Sequence, residues 1–105
     1  MRRRTSALLA AALLTTGCGA DDPRLLRLEV EHLIRPGMGM AAAEQSLRGA
    51  DFSCGPDVRG RDCSRSRSNA LIVTCLQRVT LIPDASGATL AKYDMPAKVA
   101  CLGAP

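Results

Sequence analysis

The chain has 105 residues and a formal net charge of +4, from 14 Lys and Arg against 10 Asp and Glu. Three of those bases are Arg2, Arg3 and Arg4, so the rest of the chain holds 11 bases against 10 acids. This length allows one domain at most, and a near-neutral domain excludes the strongly basic surface typical of nucleic-acid-binding proteins.

The N-terminus has the three parts of an export signal. The three arginines precede an uncharged apolar stretch from Ala7 to Leu14, and Thr15-Thr16-Gly17 then supplies small residues for cleavage. The apolar stretch is too short to span a bilayer, which takes about 20 apolar residues. The alternative is an ordinary secretory signal followed by an incidental cysteine.

Leu14-Thr15-Thr16-Gly17-Cys18 resembles a lipobox, the recognition sequence of the lipoprotein signal peptidase. It departs at Thr15, where the family usually has Leu. The resemblance implies that residues 1–17 are removed and that Cys18 is lipidated, with acyl chains such as palmitate. Residues 18–22 then form a short tether that holds a domain of residues 23–105 close to the membrane. Gly19, where a retention signal would have Asp, favours the outer membrane and a periplasm-facing domain.

The cysteine count supports the same interpretation. Five cysteines would leave one thiol unpaired in an exported protein. If Cys18 carries lipid, four remain for two disulfides in an oxidising compartment: Cys54, Cys63, Cys75 and Cys101. A zinc site needs closely spaced cysteine pairs or several histidines, and the chain has neither. We expect two disulfides, no metal and no cofactor.

The domain starts with a predicted helix. Asp22 is a good N-cap residue and Pro23 is favoured at the first helical position. Apolar residues then recur at helical spacing, and Pro36-Gly37 ends the pattern: Leu26, Val30, Leu33 and Ile34. The alternative is a strand, because Leu26, Leu28 and Val30 also alternate.

A second, short helix is predicted from Met40 to Arg48, with Gly49 as its C-cap. Met40, Ala43 and Leu47 share one face of that helix.

The second half of the domain predicts strands. Asp51–Cys54 is a short first strand, Gly55–Asn69 is a polar loop, and Ala70–Ile82 is the clearest strand. Ala88–Leu102 is a third strand interrupted at Pro96, which places that strand at an edge or a bulge. The expected fold is α+β, with two N-terminal helices packed on a three-stranded antiparallel meander and two disulfides.

The segment Ile34-Arg35-Pro36-Gly37-Met38, with Leu47 ten residues after the Gly, resembles a motif of small envelope lipoproteins of the BamE type, also called SmpA/OmlA. The resemblance covers residues 23–54 and the order of elements. It implies that Ala43 and Leu47 face the core, and that the domain fold is similar to that of the β-lactamase inhibitor proteins. The chain departs from the family at Gly39, where Ser or Thr is usual, and in its many cysteines.

No motif for catalysis accompanies these elements. His32 is the only histidine and lies on a predicted helix, so a histidine-based relay or metal site has no second member. The aspartates show no spacing that selects a pair for acid–base chemistry. We therefore expect a non-enzymatic protein.

A run from Arg59 to Arg67 is locally basic, with one Asp among four arginines: Arg59, Arg61, Arg65 and Arg67. Arginine binds phosphate in a bidentate way, so the run could contact anionic lipid headgroups. The alternative is a solvated loop.

The expected function is that of an anchored envelope lipoprotein that binds a protein or envelope component, for instance through an exposed edge strand. The alternative is an inhibitor-type lipoprotein that caps a hydrolase such as a peptidoglycan-cleaving enzyme. For the disulfides, the predicted meander favours Cys54–Cys75 with Cys63–Cys101. The more local pattern, Cys54–Cys63 with Cys75–Cys101, stays open.

Overall fold

A computed structural model describes residues 20–68 and 73–102. Within these ranges two helices precede an antiparallel sheet. The signal peptide, Cys18 and Gly19 lie outside the described residues. The elements are α1 (Pro23–Leu33), α2 (Met40–Gly49), β1 (Ser53–Asp57), β2 (Gly60–Ser68), β3 (Thr74–Pro83), β4 (Leu90–Asp94) and β5 (Ala100–Leu102).

Helix α1 begins as its sequence predicts. The Asp22 carboxylate accepts a hydrogen bond from the backbone N–H of Arg24 at 2.9 Å, and Pro23 occupies the first turn. Leu26 and Val30 are buried on the inner side of the helix. The helix is therefore confirmed, and the strand alternative for this segment is wrong.

The turn between the helices joins them to the sheet. Gly37 has φ +97°, a conformation that favours glycine. Its N–H donates to the Leu90 carbonyl at 2.8 Å, and the Leu90 N–H donates to the Met38 carbonyl at 2.8 Å. Helix α2 follows directly, with Met40 and Leu47 buried. The turn thus pairs with the start of β4.

The sheet contains more strands than the three expected. Its order is β1-β2-β3-β4, with β5 also paired to β3. The third predicted strand is divided at Pro96 into β4 and β5, which confirms the predicted interruption.

The prediction of a polar loop over Gly55–Asn69 is wrong, because Gly60–Ser68 is strand β2 and pairs with both neighbours. The segment alternates arginine and cysteine with aspartate and serine, so it has the period of a strand without the apolar residues that usually reveal one. Gly60, at φ +152°, starts this strand where a side chain would collide with the Leu81 carbonyl.

The helices cover one face of the sheet. Alternate residues of β3 are buried beneath them, while the residues between point the other way. We call the helix-side surface the covered face; in its centre lie Arg61, Cys63, Arg65, Gln77, Val79 and Leu81. We call the opposite surface the open face; in its centre lie Asp62, Ser64, Ser66, Leu76, Arg78 and Thr80. The α+β fold, with helices against an antiparallel sheet, is confirmed.

Both disulfides link residues that lie directly opposite each other on neighbouring strands. Cys54 bonds Cys63 across β1 and β2, and Cys75 bonds Cys101 across β3 and β5. The pairing favoured from the sequence is therefore wrong, and the local alternative is the one observed. The cause is strand β2: it brings Cys63 beside Cys54 and separates β1 from β3.

Candidate functional site

The four arginines expected in one basic loop have different environments in the sheet. Arg59 lies in the turn before β2, and the other three lie on β2 itself. From Arg59 to Arg67 the chain advances eight residues, about 26 Å at the usual rise of a strand. The four side chains therefore do not form one basic patch.

Arg65 is a core residue, with only 4% of its side chain exposed. Its guanidinium donates to the Gln77 amide oxygen at 2.6 Å, to the Ala50 carbonyl at 2.7 Å and to both carboxylate oxygens of Glu29. It also lies 4.4 Å from the centre of the Phe52 ring. Arg65 thus links both helices to two strands, and the prediction that it contacts anionic headgroups is corrected.

The same cluster fixes the chain before α1. The Gln77 side chain, which accepts a hydrogen bond from Arg65, donates through Nε2 to the carbonyl of Ala20 at 2.9 Å. The middle of the expected tether, residues 18–22, is therefore bound to the covered face.

The other three arginines have carboxylate partners. Arg61 pairs with Glu44 of α2 at 2.9 Å, and Arg67 lies 3.9 Å from Asp51. Arg59 is half exposed and belongs to a cluster on the open face. Headgroup contact through these three stays a prediction, and each would first have to leave an acidic partner.

The cluster on the open face joins three strands and a turn. The Arg59 guanidinium donates to Asp94 at 2.9 Å and to the Thr80 hydroxyl at 3.3 Å. The Arg78 guanidinium donates to Asp62 at 2.8 Å, and the Thr80 hydroxyl lies 3.4 Å from the same carboxylate. We call these five residues the open-face network. Half of the Arg59, Arg78 and Asp94 side chains is exposed, so the network can exchange partners.

A shallow cleft of about 260 Å³ lies beside the network. Its walls include two apolar residues that follow β4, Met95 and Pro96. Small-molecule sites usually enclose about 300–1,000 Å³ and bury most of the ligand, so this open cleft is suited to one side chain of a protein partner. Two apolar side chains of the same face are also exposed: Leu76 by 40% and Leu102 by 80%.

The two long edges of the sheet differ. Pro56 has no backbone N–H, so edge strand β1 has one donor fewer for pairing with another strand, as is typical of protected edges. At the other edge the interhelical turn covers only the start of β4, through the bridge between Gly39 and Thr89. Among the described residues, no strand pairs with the outer edge of β4 beyond Leu90. That edge can accept an extended segment of a partner.

Residues with other candidate chemistry lie apart from this face. His32 is exposed in the last turn of α1. No group of three or more potential metal-binding side chains occurs within residues 20–68 and 73–102. Hydrogen bonds lower the pKa of two carboxyls: the backbone N–H of Arg24 acts on Asp22, and the hydroxyl of Ser86 acts on Asp84. Both carboxyls stabilise local turns, the first as a helix cap.

The open-face network was not predicted from the sequence. Its members come from four separate segments, and no spacing in the chain relates Arg59 to Asp94. The available signal was the alternation of Asp62, Ser64 and Ser66 with arginine and cysteine, which indicates a strand with one polar face.

Comparison with protein-family models, with curated proteins and with solved structures finds no match to this chain. The resemblance to BamE-type lipoproteins therefore stays a prediction. In the part of the chain that the structure describes, no helix has the length and apolar character needed to cross a membrane.

Proposed function

We propose that this protein is a lipid-anchored envelope lipoprotein without enzymatic activity, which binds a protein partner through the open face of its sheet. The observation that supports the anchor is the cysteine pairing. Cys54, Cys63, Cys75 and Cys101 are all used in two disulfides. The fifth cysteine, Cys18, is then the one left over, and it stands at the modified position of the lipobox-like sequence.

The open face supports the second half of the proposal. Its exposed arginines and carboxylates alternate in sign and can re-pair with charges of a partner. Arginine and methionine are enriched in protein interfaces, and the cleft beside Met95 can receive a side chain. The accessible edge of β4 borders the same face. We propose the periplasmic side of the outer membrane as its location, as Gly19 suggests.

The anchor is tested by intact mass spectrometry of the protein extracted from membranes. We expect a chain that starts at Cys18 and carries acyl mass, and a Cys18→Ser variant that accumulates with its first 17 residues attached. A soluble wild-type product with an unmodified Cys18 would overturn the anchor.

Partner binding is tested by affinity capture from envelope extract with two matched variants. Leu76→Glu with Leu102→Glu adds charge to the open face, whereas Val58→Glu alters the tip of the β1–β2 turn. We expect a partner that the wild type and Val58→Glu retain and the open-face variant loses. Equal retention by all three proteins would contradict the use of the open face.

One observation favours the second candidate, an inhibitor that caps a hydrolase. Val58 is fully exposed at the tip of a hairpin that the Cys54–Cys63 disulfide constrains. A rigid turn with a protruding apolar side chain can enter a substrate cleft at low entropic cost. This candidate predicts the opposite capture result: Val58→Glu loses a hydrolase that the open-face variant retains.

A further inference from the structure

Helix α1 begins very close to the position of the proposed lipid. The Ala20 carbonyl is held by the Gln77 side chain at 2.9 Å, and α1 starts at Pro23. Only Gly19 separates Ala20 from Cys18, so two Cα–Cα steps of about 3.8 Å bring Cys18 within about 7–8 Å of Ala20. A lipid on Cys18 must therefore enter the bilayer beside the N-terminus of α1.

The outer side of α1 has the composition of a helix that lies on a membrane. Leu28 is 57% exposed and Leu25 is 49% exposed, although neither faces the core. The other exposed residues of the helix are Arg24, Arg27, Glu31 and His32, and Arg35 is exposed two residues after its end. Leu28 lies one turn after Arg24, so apolar and cationic side chains share this side.

The arginines on this side are available for an external anion. The Arg27 side chain makes no ion pair or hydrogen bond within the described residues, and the Arg24 side chain is 89% exposed with the Asp22 carboxylate at 3.6 Å. These two differ from Arg65 and Arg61, whose carboxylate partners are on neighbouring elements of the domain. A lipid phosphate can therefore bind Arg24 and Arg27 without breaking any contact between elements of the fold.

From the tether length and this side of the helix, we propose that the outer side of α1 lies flat on an anionic bilayer surface. Leu25 and Leu28 enter the headgroup region, and Arg24 and Arg27 bind lipid phosphates, as in interfacial amphipathic helices. The inference rests on the proposed lipid anchor. Its consequence is a fixed orientation, in which the helix layer lies on the membrane and the open face points away from it, toward a partner.

The chain contains no tryptophan, so single tryptophans report position without background. The lipidated protein carrying Leu28→Trp is reconstituted into vesicles of phosphatidylethanolamine and phosphatidylglycerol with brominated acyl chains. The matched control carries Leu76→Trp, an exposed leucine on the open face. We expect a blue-shifted and strongly quenched emission for Leu28→Trp, and an unshifted, unquenched emission for Leu76→Trp.

A second pair of variants tests the arginines. Arg24→Gln with Arg27→Gln, added to the Leu28→Trp protein, should reduce the quenching, and vesicles of phosphatidylcholine alone should reduce it as well. Each variant is first shown to have the wild-type circular dichroism spectrum.

The outcomes separate this inference from the anchor on which it rests. If the proteins float with the vesicles but Leu28→Trp is no more quenched than Leu76→Trp, the inference is overturned while the anchor stands. If tryptophan at 28 is quenched equally with and without the arginines, charge recognition is overturned. If the wild type does not float with vesicles, the anchor itself is wrong.

Discussion

The covered and open faces of the sheet use the same pair of chemical groups under different conditions. On the covered face Arg65 binds Glu29 with almost none of its side chain exposed, and on the open face Arg78 binds Asp62 with half of its side chain in water. The burial of the arginine, more than the length of the ion pair, distinguishes the two. A buried guanidinium therefore holds the fold together, whereas an exposed one is free to serve recognition.

The physical reason is the cost of leaving buried polar groups without partners. Removing Arg65 leaves the Gln77 amide and the Ala50 carbonyl unsatisfied in the core, at about 1–3 kcal/mol for each group. Water replaces the partners of an exposed pair, so such pairs contribute about 0–1 kcal/mol. Substitution of the buried arginine on the covered face should therefore lower stability, whereas substitution of exposed arginines on the open face should mainly lower partner binding.

The largest effect is expected for Arg65→Met, which keeps much of the side-chain volume and removes every hydrogen bond of the guanidinium. We expect a loss of about 4 kcal/mol in the free energy of unfolding, below the upper value of about 5 kcal/mol for a broken buried pair because Glu29 is 40% exposed and can turn to water. Urea titration measures it. The control is Arg67→Met, two residues along the same strand and exposed, which should cost less than about 0.5 kcal/mol. Equal losses would remove the distinction between a buried and an exposed arginine.

The second effect concerns the two disulfides, which both lie on the covered face. The Cys75–Cys101 bond spans 26 residues and the Cys54–Cys63 bond spans 9. Loop-closure entropy predicts losses of about 3.5 and about 2.6 kcal/mol, respectively, when each pair is replaced by alanine. Guanidinium titration of the two double variants gives the order, and a larger loss from the shorter bridge would contradict the entropic account.

The third prediction concerns the open face alone. A double-mutant cycle with Arg78→Gln and Asp62→Asn should give a coupling of about 0.2–1 kcal/mol that falls with added salt. The same variants should weaken capture of the proposed partner. A coupling of several kcal/mol would show that the open-face network is a structural cluster like that of Arg65, and it would argue against a recognition surface.

The helices could be predicted because their signals are local. Asp22-Pro23 starts α1, and Leu26, Val30 and Leu47 follow helical spacing and are buried as expected. The end of α1, at Leu33, comes three residues before the predicted stop at Pro36-Gly37. Strand β3 and the interruption at Pro96 could also be predicted, since the first depends on a short run of apolar residues and the second on the missing N–H of proline.

Strand β2 and the contacts that depend on it could not be predicted in the same way. Its arginines look like those of a solvated loop, and the fact that Arg65 is buried depends on Glu29, 36 residues earlier. No local rule connects those two positions. The wrong disulfide pairing has the same origin. When β2 is taken for a loop, β1 and β3 become neighbours and Cys54 is expected beside Cys75, whereas β2 in fact lies between them.

The smallest effect is expected at low pH, at the edges of the layer that covers the sheet. The Ser86 hydroxyl donates to the Asp84 carboxylate at 2.6 Å, and this bond above all lowers the pKa of Asp84 below its ordinary value of 3.8. A carboxyl whose pKa is lower in the folded state stabilises the fold above its unfolded pKa, and this contribution is lost as the pH falls through the folded value. The Asp84–Ser86 turn leads into Ala88, whose carbonyl accepts a hydrogen bond from the backbone N–H of Met40 at 2.8 Å. Acid should therefore loosen the contact between the helix layer and the sheet.

Two variants test this pH dependence. Asp84→Asn keeps an acceptor and removes the charge. Its melting temperature should therefore fall less than that of the wild type between about pH 5 and pH 2. Ser86→Ala removes the donor and should flatten the profile in the same way. An acid-induced loss in Asp84→Asn as large as that of the wild type would show that this turn does not contribute to the pH dependence.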